Sequence, residues 1–208
     1  MRQGRHLVIF ARAPRLGAVK RRLAREIGAV EALRFYRASL DGLLRRVGRD
    51  RRWCTWLAVT PDLCAGPGHW RLASRLGITI IPQGPGDIGQ RMGRALASLP
   101  PGACAIVGSD VPALDARIVG EAFAGLNGHD VVFGPARDGG YWLIAARAWF
   151  RRPSLFDNVR WSSEHALTDT AANLPPEARV ARLEMLEDID EGPAYRRWRK
   201  SRGVGTND

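Results

Sequence analysis

The chain has few of the residues that define a fold or a chemistry at a glance. Its 208 residues include three cysteines, Cys54, Cys64 and Cys104, with no Cys-x-x-Cys spacing. That excludes a disulfide scaffold and a zinc ribbon. Cys54 and Cys104 lie in apolar runs, where a thiol is expected to behave as a small buried hydrophobe. The four histidines, His6, His69, His129 and His165, are scattered and form no metal-ligand pattern. No apolar run is long enough to span a bilayer. Residues 7–11 are too short for the core of a signal peptide and are stopped by Arg12. The expected setting is cytoplasmic, reduced and soluble, without integral membrane association. The phosphate loop GxxxxGK[ST] is missing. No internal repeat or low-complexity linker divides the chain, so one domain is expected over residues 1–202, followed by a disordered tail at 203–208.

Lysine is also scarce: of 32 basic residues only Lys20 and Lys200 are lysines. The basic total is nonetheless large. A net charge of +11 favours anionic partners such as nucleotides, phosphorylated metabolites or nucleic acid. No aromatic-basic platform or recognition helix points to nucleic acid.

Apolar runs alternate with helical patterns. Leu7-Val8-Ile9-Phe10-Ala11 reads as a strand buried on both faces. A turn-rich basic loop follows, containing Arg12, Pro14 and Gly17, and a helix is expected over 19–27. Strand, basic loop and helix start together make a plausible anion site, with Arg12 and Lys20 adding charge to the helix dipole; a solvated basic face explains the same residues. A long amphipathic helix at 30–47 carries Val30, Leu33, Tyr36, Leu40, Leu43, Leu44 and Val47 at helical spacing. Strands are expected at 53–59, 78–81, 104–107, 130–136 and 142–145, and a last short one at 180–186. Helices are expected at 70–76, 90–99, 115–126, 161–173 (capped by Ser162 or Ser163) and 194–200. The alternation argues for an α/β fold with a parallel sheet covered on both faces.

Residues 84–89 contain a literal GxGxxG between a strand and a helix. Pro85 stands where a dinucleotide loop must turn tightly and present N–H groups, and the motif falls on the third strand instead of the first; both argue against that use. Asp87 and Arg91, four apart, suggest an ion pair on the helix.

The stretch Ala105-Ile106-Val107-Gly108-Ser109-Asp110-Val111-Pro112 ends a strand abruptly on a carboxylate. Asp110 either caps the next helix or presents chemistry at the sheet edge. Arg137-Asp138-Gly139-Gly140-Tyr141 between two apolar runs is a hairpin signal, yet it carries an acid and aromatics that a plain turn does not need. Glu187, Asp188, Asp190 and Glu191 crowd four carboxylates into five positions of a basic chain. Such crowding calls for a nearby cation, unless it is an acidic helix entry.

Four separated segments then match one pattern. They are residues 8–23 with Arg12, Pro14, Gly17, Lys20 and Arg21; Gln83-Gly84 with Asp87 to Met92; Gly108 to Leu114; and Gly134 to Ile144. Together they resemble the DUF2064 proteins, labelled as glycosyltransferases with a nucleotide-diphospho-sugar transferase (GT-A) fold. That group is itself similar to the guanylyltransferases of molybdopterin and phospholactate metabolism.

The resemblance runs from about residue 7 to 195 and implies a Rossmann-like three-layer α/β/α sandwich with a mostly parallel mixed sheet. It implies that Arg12, Pro14, Lys20 and Arg21 lie at the phosphates and that Gln83, Gly84, Asp87 and Arg91 line the nucleotide. Gly108 and Ser109 would lead to Asp110 as the metal-binding acid. Asp188 and Asp190 would be further ligands of a divalent metal, Mg²⁺ or Mn²⁺. Asp138 would be catalytic, with Gly139, Gly140, Tyr141 and Trp161 near the acceptor or sugar. The sequence departs from the pattern at Arg21, where threonine is common, at Arg160-Trp161-Ser162-Ser163 in place of Pro-Trp-Ser-Thr, and at Glu191-Gly192-Pro193 in place of Thr-Pro-Glu.

The implied activity is metal-dependent transfer from a nucleotide-activated donor to a small acceptor, in first place glycosyl transfer. Nucleotidyl transfer from a nucleoside triphosphate to a phosphorylated metabolite is the alternative, and nucleotide binding without catalysis a third.

Overall fold

The computed structural model describes residues 4–203, apart from the side chains of 67 and 201–203. Seven strands form one mixed sheet: β1 (Gly4–Arg12), β2 (Cys54–Thr60), β3 (Thr79–Pro82), β4 (Gly102–Gly108), β5 (Val131–Pro135), β6 (Tyr141–Ala146) and β7 (Val180–Arg182). Their order is β3-β2-β1-β4-β6-β5-β7. The pairs β1–β2, β2–β3, β1–β4 and β5–β7 are parallel, while β6 runs antiparallel to both β4 and β5. The Asp138-Gly139-Gly140 turn is therefore a hairpin connection, as its composition predicts.

The helices are α1 (Arg21–Ile27), α2 (Ala29–Val47), α3 (Arg71–Arg75), α4 (Ile88–Ser98), α5 (Ala116–Gly125), α6 (Ala166–Ala172) and α7 (Gly192–Gly203). Alternate residues of β1 separate the two cores. Leu7 and Ile9 face Leu40, Leu43 and Leu44 of α2 and Phe123 of α5. Val8 and Phe10 face Met92, Ala95 and Leu96 of α4 and Leu167 of α6. This period-two division of a fully buried strand is why the run from 7 to 11 shows no polar alternation. The result is a three-layer α/β/α sandwich. A third cluster joins Leu23, Phe35, Ile189 and Tyr195, and so ties α1, α2 and α7 to the acidic segment.

Several local expectations are corrected. Helix α6 starts at Ala166, after a turn containing Ser162 at φ 58°, and His165 precedes it without a side-chain cap; neither serine caps the helix. The final strand is Val180–Arg182, extended only by an isolated bridge from Ala136 to Leu186. Cys54 is exposed at the start of β2, while Cys64 and Cys104 are buried. The last helix continues to Gly203; the rest of the expected tail, 204–208, lies outside the described residues. Among those residues no helix is long and apolar enough to cross a membrane.

Candidate functional site

The chain passes from β1 through β2 to β3 on one side, then returns to place β4 on the other side of β1. At such a reversal the loops after neighbouring strands diverge and leave a crevice at their C-terminal ends. The Arg12 loop and the Gly108-Ser109-Asp110 loop flank it. Asp110 is free for it because Asp115 accepts the Ile118 N–H (2.9 Å) and caps α5 instead.

Tyr36 stitches the two loops together. Its hydroxyl donates to Arg12 O (2.9 Å), accepts from Arg12 N (2.9 Å) and lies 3.3 Å from Ser109 Oγ. Burial, reinforced by the Asp110 charge, pushes its phenol up to about 12, so it stays a neutral donor.

Lys20 sits just before α1 in the left-handed conformation (φ 49°, ψ 47°). That geometry costs a non-glycine residue roughly 1–2 kcal/mol. It sends a side chain only 3% exposed inward, where Nζ lies 2.6 Å from Asp190 Oδ1 and 3.2 Å from Asp110 Oδ2. Burial pulls the lysine pKa down, but the two carboxylates outweigh it and the ammonium is held above its ordinary range. The acidic segment reaches this point by backbone pairing: Leu186 N donates to Pro135 O (3.3 Å) and Ile189 N to Asp110 O (3.2 Å). Ile189, 3% exposed, anchors it. Asp188 is pushed up to about 6, first by burial and then by Asp190 and Asp138, against the pull of Lys20. Asp138 Oδ1 accepts the Gly140 N–H (3.0 Å) and so also shapes the hairpin turn.

Two cavities meet here and share Phe10, Ile88 and Asp110. The larger, about 670 Å³, is basic: Arg12, Lys20, Arg21, Arg22 and Arg91 line it with Gln83, Ser109 and Asp190. The smaller, about 260 Å³, has an apolar and aromatic wall including Met92, Tyr141, Trp142 and Trp161, with carboxylates from Asp110, Asp138 and Asp188; Gly108 and Gly140 complete the expected residues in it.

Four expected site residues line neither cavity. Pro14 lines a separate groove beside Arg37 and Trp70. Asp87 is the N-cap of α4 in a reciprocal capping box with Gln90, and Arg91 Nε bonds Gly86 O; the expected Asp87–Arg91 ion pair is not formed. The capping box occupies two of the N–H groups, those of Asp87 and Gln90, that a dinucleotide loop would offer to a pyrophosphate. Gly84 N donates to Asp62 Oδ1. Gly139 (φ +83°) packs on the Glu164 backbone, where an added Cβ would lie 2.2 Å from the carbonyl oxygen. Gln83 is in place but mostly structural: its amide donates to Ala11 O (3.2 Å) and Ala58 O (2.9 Å). Tyr36, Arg22, Phe10 and Ile88 also line the cavities, although no local motif marks them.

The carboxylates are hard oxygen donors of the kind Mg²⁺ and Mn²⁺ prefer. Asp188 is crowded by Asp138 and Asp190, which is more negative charge than one ammonium neutralises. The donor set fits a divalent cation in chemistry, although no three acidic, histidine or cysteine side chains among the described residues are gathered to hold one. Asp110 and Asp190 turn to Lys20 instead.

Fold and crevice together describe a three-layer α/β/α protein with a mixed, mostly parallel sheet and a cleft at the strand reversal. The chain belongs to the family described as "Uncharacterized protein conserved in bacteria (DUF2064)", which it matches over residues 43–163. No curated protein matches it. Among solved structures it is similar to a protein from Desulfovibrio desulfuricans G20 that bears the provisional name nucleotide-diphospho-sugar transferase (22% identity, 96% of each chain, TM-score 0.78). It is also similar to CMP:2-keto-3-deoxy-manno-octonic acid synthetase complexed with CTP (12% identity, 97% of this chain and 99% of that one, TM-score 0.55). A third is glucosyl-3-phosphoglycerate synthase from Mycobacterium tuberculosis with Mn²⁺, UDP and glucosyl-3-phosphoglycerate (14% identity, 90% of this chain and 71% of that one, TM-score 0.52). At these identities the likeness establishes the fold.

Proposed function

We propose that the chain is a transferase that uses a nucleotide-activated donor and moves a glycosyl group from a nucleotide-diphospho-sugar to a small acceptor. The observation that carries this reading is the adjacency of a basic cavity and a carboxylate-bearing cavity that share Asp110.

The donor diphosphate lies in the basic cavity, where Arg12, Arg21, Arg22 and Arg91 meet its charge. Leaving-group departure places negative charge on that diphosphate, and preorganised cations lower the barrier by opposing it. The acceptor enters the smaller cavity, beside Tyr141 and Trp161. Asp138 orients or deprotonates its hydroxyl; Oδ2 of Asp138 has no hydrogen-bond donor among the described residues and is available for this. The acceptor oxygen bonds to the anomeric carbon, the bond from that carbon to the diphosphate breaks, and the nucleoside diphosphate departs. Asp110, Asp188 and Asp190 would hold a divalent cation, Mg²⁺ or Mn²⁺, whose chemistry is Lewis-acid neutralisation of the leaving diphosphate.

Nucleotidyl transfer to a phosphorylated metabolite would use the same basic cavity. It would also need cationic side chains around the second substrate, and the second cavity offers carboxylates. The products separate the two reactions. Release of nucleoside diphosphate from a panel of nucleotide sugars is the expected result. Release of pyrophosphate from nucleoside triphosphates, with nucleotide sugars left intact, would overturn it.

A further inference from the structure

The wall of the smaller cavity restricts what its occupant can be. Its charged lining consists of Asp110, Asp138 and Asp188, with no arginine, lysine or histidine among the lining residues. Lys20 touches Asp110 from the other cavity, but it is shared with Asp190. Even if Lys20 and one divalent cation both oppose the four carboxylates Asp110, Asp138, Asp188 and Asp190, one negative charge remains. A phosphate or carboxylate placed there would be repelled and would find no fixed cation.

The rest of the wall is aromatic and aliphatic, with Phe10, Met92, Tyr141, Trp142 and Trp161. Trp142 is 4% exposed and its indole N–H has no hydrogen-bond partner among the described residues. A buried donor of this kind is costly unless something accepts from it. A volume of about 260 Å³ equals the liquid volume of roughly nine waters at about 30 Å³ each, room for a small molecule only.

From this composition we infer that the acceptor is a small, non-phosphorylated molecule, uncharged or cationic, with a ring or apolar face and a hydroxyl or amine nucleophile. The inference rests on the proposed division of the crevice into donor and acceptor cavities. It sets the acceptor apart from the anionic phosphoglycerate compound bound by the structural neighbour.

The test uses one ring and three charges. Tyramine, tyrosol and 4-hydroxyphenylacetate are titrated into the full chain by ligand-observed NMR, with phenyl phosphate as a fourth probe. Each titration is run with and without saturating nucleoside diphosphate. Tyramine and tyrosol are expected to bind at least about tenfold more tightly than either anion. Trp161→Ala should weaken tyramine and tyrosol alike, and Asp138→Asn should narrow the gap between tyrosol and the anions, with circular dichroism confirming that each variant is folded. An anion that binds as tightly as tyrosol overturns the inference, as does a series in which nothing binds or a gap unchanged by Asp138→Asn. The wild-type charge series decides the matter even if a variant fails to fold. Nucleoside diphosphate binding with the wrong charge order refutes this inference and leaves the donor reading standing. The expected charge order without any nucleotide binding refutes the donor reading alone.

Discussion

Replacing Lys20 with methionine keeps the apolar stem of the side chain and removes the terminal ammonium, with its charge and its N–H donors. In the wild type the ammonium is 3% exposed and contacts Asp190 at 2.6 Å and Asp110 at 3.2 Å. Removing one partner of a fully buried ion pair costs about 3–5 kcal/mol, because the other charge is stranded. Here the stranded carboxylates are 40% and 45% exposed, so water recovers part of that cost. The left-handed strain is not relieved, since methionine is no better suited to φ 49° than lysine. The net expectation is about 1–3 kcal/mol of destabilisation. For a chain of this size that corresponds to a fall in Tm of roughly 2–12 °C. Differential scanning calorimetry at low and moderate salt gives the number. The double variant Lys20→Met/Asp190→Asn should recover part of the loss, because it removes one of the two stranded charges. A Lys20→Met protein as stable as wild type, or more stable, refutes the view that Lys20 is the counter-ion holding Asp110 and Asp190 together.

Three further outcomes follow from the geometry. Tyr36→Phe removes the hydroxyl shared by Arg12 and Ser109 and should cost about 1–2 kcal/mol in urea unfolding, with weaker nucleotide binding as the Arg12 loop loosens. Gly139→Ala forces a Cβ to 2.2 Å from the Glu164 carbonyl at a positive φ, and should lower the thermal midpoint by more than an ordinary surface substitution does. His6 is buried, and burial, aided by Arg151 and opposed by a Pro101 backbone hydrogen bond, lowers its pKa below 6.5. The unfolded chain then binds the proton more readily, so the stability His6 contributes is present above pH 6.5 and is lost as the pH falls through its lower folded value. His6→Phe should flatten that part of the stability–pH curve, and an unchanged slope would count against the assignment.

Much of the fold was legible because its strands are buried on both faces. The runs at 7–11 and 104–107 are continuous and apolar, and they lie in β1 and β4 at the centre of the sheet. Composition extends the edge strand β7 too far, because Val180–Arg182 is largely exposed and its limits depend on pairing with β5. At the site, Asp110, Asp138, Asp188 and Asp190 could be picked out as acids at the ends of apolar runs or in a crowded segment. Their convergence depends on the backbone bonds of Ile189 and Leu186, which no local pattern announces. Asp87 caps α4, and a helix cap asks for the same residue type as a ligand contact. Tyr36 was hidden in the apolar stripe of α2. The available signal was its hydroxyl, since a tyrosine on a buried face needs a polar partner. Lys20 was visible as one of only two lysines, but its left-handed backbone, and hence its inward course to the carboxylates, belongs to the three-dimensional structure.

The proposed function requires the basic cavity beside Asp110 to bind the diphosphate of a nucleotide donor. Isothermal titration of UDP, CDP, GDP and ADP into the full chain, with and without Mn²⁺, tests it most directly. At least one nucleoside diphosphate is expected to bind, and Arg12→Ala and Arg91→Ala should each weaken it about tenfold or more, the loss of one charge-assisted contact of roughly 1.5–3 kcal/mol. Absence of binding by all four, or binding that both variants leave unchanged, would contradict it.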